Sequence, residues 1–281
     1  MLYIYFLSVL GGLFYAVTES INKNITEEKY SAFAYGFIQY FFNFILYLIP
    51  FLFFFNLPPM QIAYLYIALA VITVLIANTL LIKAYKTEDV SNISILYRIS
   101  LVVSFFLGIT LLQEPFSVFK LIGVFLIAVG IIVIFYEGQQ LRLSSGSVIA
   151  LFSGSLFGLL SYLDKIILNV FSPLAYITLT QLSMAAVSVS IPQVRLDFLR
   201  ILNKYKKKII ISRLTAVFAI YLYLISIQKG SISVVNTNFQ SVYLLSTVFI
   251  GIIFLKEKKY IVKKLTGSLF CTLGIILLNF F

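Results

Sequence analysis

Ten apolar runs partition the sequence, at residues 2–21, 32–55, 62–83, 90–112, 117–136, 147–169, 174–192, 209–227, 231–255 and 260–281. Most are close to 20 residues long, and short polar clusters separate them. A helix rises 1.5 Å per residue, so about 20 residues match a hydrocarbon layer roughly 30 Å thick. Inside that layer each backbone N–H and C=O must find a partner within its own segment, which leaves helices as the conformation for such runs. The expected fold class is therefore an all-α polytopic membrane protein with ten transmembrane helices. Composition leads to the same place. Of 281 residues, 61% are hydrophobic and 11% charged, and the mean hydropathy is +1.04, more apolar surface than a soluble fold of this size can hide. The run at 2–21 lacks a basic segment before it and is echoed at 148–169, so it reads as a retained helix and not a signal peptide.

The runs repeat. Residues 86–135 and 229–280 follow one plan: an apolar run ends in Leu111-Leu112-Gln113-Glu114 or Phe254-Leu255-Lys256-Glu257, and the next run carries Gly123 and Gly130 or Gly267 and Gly274. Lys86 to Lys229 and Glu114 to Glu257 share one register, which marks an internal duplication. Ser31-Ala32-Phe33-Ala34-Tyr35 likewise returns as Ser172-Pro173-Leu174-Ala175-Tyr176, and Gly12 to Ala16 return as Gly154 to Gly158. The expected domains are a first five-helix repeat over 1–140 and a second over 141–281. Five is odd, so the second repeat enters the membrane from the opposite side. Inverted repeats place a binding site near the midplane between halves, and rocking of one half on the other opens it to alternate sides.

Two five-helix halves, each with a Glu after its fourth helix and a Gly-containing fifth helix, resemble the EamA-like family of the drug/metabolite transporter superfamily. The resemblance covers nearly the whole chain. It implies a secondary transporter in the plasma (inner) membrane that moves a small organic solute, an amino acid or related metabolite, without a cofactor. A lipid-carrier flippase or accessory membrane subunit is the alternative. The expected partners are the solute, the bilayer and at most a second copy, as monomer or homodimer.

Residue types that are missing restrict the chemistry. With no His and a single Cys, Cys271, neither a disulfide, nor a Cys/His metal site, nor a Ser-His-Asp arrangement can be built, so an enzyme is not expected. The formal charge of +11 does not point to nucleic acid, because the basic residues sit in short loops between apolar runs. Near the odd-numbered loops lie Lys23, Lys29, Lys83, Lys86, Arg142, Arg195, Arg200, Lys204, Lys206, Lys207, Lys208, Lys256, Lys258, Lys259, Lys263 and Lys264, whereas the even loops have Lys120, Lys165 and Lys229. Positive residues mark the cytoplasmic side. The odd loops are thus expected inside and both ends of the chain outside, the reverse of what the family resemblance implies.

Polar residues within the runs suggest a solute site formed by Tyr15, Glu19, Tyr97, Arg98, Asn236, Gln240 and Tyr243. In the first run Ser8, Gly12, Tyr15, Glu19 and Asn22 recur at helical spacing and share one face. Gly12 with Ala16, and Gly154 with Gly158, also suit close helix packing. Glu19 is either a cavity acid or half of an i,i+4 pair with Lys23. The ninth run carries a second stripe, Ser233, Asn236, Gln240, Tyr243 and Thr247, with Gln240 near mid-bilayer and Tyr97 as its repeat partner. Arg98 lies on the order of 12 Å into the fourth run. It either snorkels or grips a carboxylate or phosphate with its planar fork. Arg213, four residues into its run, is expected to snorkel. Asp164 and Lys165 are expected at the lip opposite Glu19, and Glu114 and Glu257 as caps of the helices that follow them.

Overall fold

The computed structural model describes residues 2–26, 30–54, 56–58, 62–111, 113, 117–137, 140–141, 144–229, 232–257 and 260–280; at 2–5, 134–137, 140–141, 229, 232–234, 236–237 and 278–280 only the backbone is described. The helices are α1 (Leu2–Thr26), α2 (Ala32–Phe53), α3 (Ala63–Tyr85), α4 (Val90–Leu96), α5 (Ile99–Leu111), α6 (Val118–Phe135), α7 (Ser145–Ile167), α8 (Pro173–Val189), α9 (Pro192–Lys229), α10 (Ile232–Ile253) and α11 (Ile261–Phe280). Among the described residues, five spans are long and apolar enough to cross a bilayer: Ala32–Phe53, Ala63–Tyr85, Val90–Leu111, Ser145–Ile167 and Pro192–Gln228. A two-residue antiparallel pairing, Tyr136–Glu137 with Gln140–Leu141, joins α6 to α7. Large apolar side chains such as Phe53, Phe125, Phe152 and Val262 point outward, as helices bathed in lipid require. The protein is an integral, multi-pass membrane protein.

Two of the expected segments differ. The run at 90–112 is not one helix: it breaks at Tyr97 and Arg98, where the amide of Arg98 bonds Ile95 O at 3.0 Å and that of Ser100 bonds Tyr97 O at 3.0 Å, three residues back instead of four. No Pro or Gly interrupts this stretch. The break is made by packing, because α7 offers Gly154 and Gly158 to it: a Cβ on Gly158 would lie 2.7 Å from Ser100 O, and one on Gly154 would lie 2.6 Å from Ile99 Cγ2 and 3.2 Å from Tyr97 O. The basic stretch at 193–208, expected as a polar connection, is helical and forms the first part of α9, which kinks at Tyr205. Val194, Phe198 and Ile201 recur every three or four residues on its inner side, with Val194 and Ile201 buried, while Arg195, Arg200 and Lys204 face out.

Close helix crossings occur where glycine permits them. A Cβ on Gly12 of α1 would lie 2.6 Å from Phe239 O of α10. Between α6 and α11, a Cβ on Gly130 would lie 2.7 Å from Gly267 O, and one on Gly274 would lie 2.5 Å from Gly123 O. The fifth helix of each sequence repeat therefore crosses the other backbone to backbone, the arrangement that small residues make possible in membranes.

Polar ties hold the helix ends by the odd loops. Glu257 does not cap α11; its carboxylate takes the free amides at the start of α4, Val90 N at 2.8 Å and Ser91 N at 3.3 Å, together with the Ser91 hydroxyl. The capping chemistry is the expected one, applied to a helix of the other half. Buried Lys264 pairs with Glu257 at 3.1 Å and Asp89 at 2.7 Å. Glu114 lies outside the described residues. Lys23 Nζ donates to Tyr85 O at 2.5 Å and Glu88 O at 2.6 Å, fastening α1 to the end of α3.

Candidate functional site

A cavity of about 210 Å³ lies among α1, α2, α3, α4, α7, α8, α9 and α10. Of the seven residues expected at a solute site, Tyr15, Glu19, Tyr97, Gln240 and Tyr243 line it. The Asn236 side chain lies outside the described residues. Arg98 is not in the lining.

One wall is aromatic. Tyr15 packs edge-on to Tyr243 with ring centroids 5.0 Å apart, and Tyr97 does so at 6.4 Å. Phe239 joins Tyr15 at 5.8 Å and Tyr223 at 4.7 Å. These rings meet because Gly12 lets α1 lie directly on α10 and Gly154 lets α7 lie on the α4–α5 break.

Arg98 stands behind this wall, with no exposed surface. Its Nε donates to Ser94 O at 3.0 Å, the carbonyl freed by the helix break. Its Nη1 bonds the Gln240 side-chain oxygen and, at 3.2 Å, Gln240 O. The guanidinium carbon lies 4.9 Å from the Tyr243 ring centroid and 5.5 Å from that of Tyr97, while Nη2 has no hydrogen-bond partner. Arg98 neither snorkels nor touches Glu19. It braces the discontinuity and aims Gln240 and two tyrosines, an arrangement in which a buried guanidinium is held by carbonyl oxygens and ring faces.

Opposite lies a buried polar network. Glu19 accepts from the Tyr85 hydroxyl and from Asn22 Nδ2 at 3.2 Å. Asn22 Oδ1 accepts three donors: the Tyr35 hydroxyl at 2.5 Å, Ser212 Oγ at 2.7 Å and Arg213 Nη2 at 2.9 Å. Glu19 and Arg213 are thus opposite charges bridged by one amide, and both line the cavity. Arg213 does not snorkel. Its guanidinium turns inward, where Asn22 Oδ1 and Ser212 Oγ accept from it. Asp164 is not at a lip opposite Glu19 but lines the same cavity, and its Oδ1 accepts the Tyr176 hydroxyl.

The sequence reading also passed over a band of amides between α2, α3 and α8. Asn78 Nδ2 donates to Gln39 Oε1 and to the Tyr40 hydroxyl, both at 2.8 Å, and Asn43 Nδ2 approaches Gln181 Oε1 at 3.5 Å. Gln39 and Asn43, one turn apart within an otherwise apolar run, were the available signal.

Comparisons with known proteins agree with this architecture. The model of the EamA-like transporter family matches residues 2–136. No curated protein sequence matches. Among 19 solved chains that match, one crystal structure of a protein aligns over 96% of this chain and 95% of its own, with a TM-score of 0.66 and 10% sequence identity; at that identity the likeness is one of fold. Residues 2–136, just under half of the chain, thus carry the match to the EamA-like transporter family, which belongs to the drug/metabolite transporter superfamily.

Proposed function

We propose that the protein is a secondary transporter that carries a small organic solute, an amino acid or related metabolite, across the plasma membrane by alternating access between repeats 1–140 and 141–281. The observation that carries this reading is the cavity: about 210 Å³, lined by helices of both repeats, and furnished with an aromatic wall, a carboxylate–amide–guanidinium network and a second carboxylate. Pockets for drug-sized ligands span roughly 300–1,000 Å³, so this volume suits a smaller metabolite. Pairing between repeats adds support. The first helix of each docks by its glycines on the fourth-run helix of the other, and the two fifth helices cross at Gly130 and Gly274, as expected for units related by a pseudo-twofold axis.

Purified protein in liposomes preloaded with unlabelled solute tests this. Counterflow of a labelled amino acid or related metabolite, abolished by Tyr15→Ala or Gln240→Ala, is the expected outcome. Absence of flux for the whole panel, with lipid scrambling in its place, would overturn it in favour of a flippase.

A further inference from the structure

Three charged side chains line the cavity among the described residues: Glu19, Arg213 and Asp164. The first two offset each other through Asn22. Asp164 has no such counterpart. Its hydrogen-bond partner is the Tyr176 hydroxyl, and among the described residues it makes no ion pair. The sequence repeat sharpens the contrast. Asn22 and Tyr35 of the first half correspond to Asp164 and Tyr176 of the second, and in both halves the tyrosine hydroxyl bonds the α1- or α7-borne side chain. The first-half member is a neutral amide that serves Arg213; the second-half member is an acid that faces the cavity.

A half-buried carboxylate in a cavity between transmembrane helices favours a positive partner. The groups around it cannot provide one, but they can complete a shell for one. Tyr176 and Tyr223 line the cavity with aromatic rings, Gln181 brings a carbonyl oxygen, and Asn43 Oδ1 is buried without a hydrogen-bond partner. An ammonium group supplies what these lack: three donors and a positive charge that carboxylate, amide oxygens and aromatic faces all attract.

We infer that Asp164, with Tyr176, Tyr223 and Asn43, forms a subsite for the ammonium end of the transported solute. The inference rests on the transporter reading for the identity of the cavity and narrows it to solutes that carry a positively charged nitrogen, bound at Asp164. An anionic end, where the solute has one, would lie across the cavity at Arg213, whose Nε has no hydrogen-bond partner.

The test is ligand-induced thermal stabilisation of the purified protein with 2-phenylethylamine and its uncharged counterpart 2-phenylethanol. The amine should raise the melting temperature of the wild type well beyond the alcohol. Asp164→Asn, an isosteric change, should weaken the amine at least about tenfold and leave the alcohol unaffected. Should Asp164→Asn fail to fold, Asp164→Ser provides the same neutral comparison. Equal response of the wild type to amine and alcohol, or undiminished amine binding by either neutral variant, would each overturn the subsite. The transporter reading fails separately. Asp164-dependent amine binding without counterflow rejects transport and supports the subsite, and counterflow indifferent to Asp164→Asn rejects the subsite alone.

Discussion

Arg98→Ala separates a structural brace from a solute hook. The wild-type guanidinium satisfies Ser94 O, Gln240 O and the Gln240 side-chain oxygen, and contacts two tyrosine rings. After truncation Gln240 O keeps its place in the helical ladder of α10, and the Gln240 amide can turn to the cavity, so these acceptors lose little. Ser94 O cannot be rescued, because the break at Tyr97 removes the amide that would otherwise reach it; a stranded buried acceptor costs about 1–3 kcal/mol. The emptied volume against Tyr97 and Tyr243 adds about 2–5 kcal/mol on the scale of large-to-small core changes. Against this, removing a buried cation returns a desolvation cost of several kcal/mol. The net loss is about 2–4 kcal/mol, which at roughly 2–4 °C per kcal/mol corresponds to a fall of about 5–15 °C in melting temperature. Thermal unfolding in detergent reads this directly. Arg98→Met refills the volume and should recover most of the loss, while Arg98→Lys, a point donor without the fork, should fall between. If Arg98→Ala melts within about 2 °C of the wild type but no longer responds to solute, Arg98 contacts the ligand and the brace is refuted.

Three other outcomes follow from the geometry. Glu257→Gln should lower the melting temperature by several degrees, because Lys264, almost wholly buried, loses one of its two carboxylates and α4 loses a charged cap; an unchanged melting curve would refute the cap. Gly158→Leu should abolish monodisperse protein in size-exclusion chromatography, since even a Cβ would lie 2.7 Å from Ser100 O; normal yield would show that α7 and α5 can separate. Cys271 is buried and is the sole cysteine, so single introduced cysteines report topology: Lys206→Cys should react in intact cells only with a membrane-permeant maleimide and Val170→Cys with an impermeant one, and the reverse pattern would overturn the orientation drawn from loop charge.

Much of the fold was written in the apolar runs, because hydrocarbon leaves a backbone so few options that run length alone nearly fixes the elements. The break between α4 and α5 was not legible. It has no Pro or Gly of its own and arises from Gly154 and Gly158 on another helix, together with an Arg98 side chain that satisfies the carbonyl the break exposes. The helix at 193–208 was hidden by its charge. The spacing of Val194, Phe198 and Ile201 was there to be read, but six basic residues made the stretch look like a loop. Within the site, the stripes on α1 and α10 identified Tyr15, Glu19, Gln240 and Tyr243 as one-face neighbours, since helical periodicity is a local property. The surroundings of Arg213 and Asp164 were not legible because they are set by helices far away in sequence.

The crossings also restrict which parts can move if the cavity is to open alternately. Gly12 brings α1 onto the α10 backbone, and Gly154 and Gly158 bring α7 onto α5; a Cβ at these glycines would fall 2.6–2.7 Å from the partner helix or its side chains. Such contacts have no long side chains to re-pack, so sliding them even slightly exposes backbone or creates overlap. The polar lining between α2 and α8, by contrast, meets through Asn43 and Gln181 amides at 3.5 Å, a separation that can lengthen at small cost. Alternating access between residues 1–140 and 141–281 would then leave α1 seated on α10 and α7 on α5, with the largest displacement expected at α2 and α8. Spin labels at outward-facing positions make this measurable in nanodiscs: the distance between Phe6→Cys on α1 and Phe249→Cys on α10 should stay constant when solute is added, while that between Ile45→Cys on α2 and Leu182→Cys on α8 changes. Equal changes in both would show that the glycine crossings are not rigid.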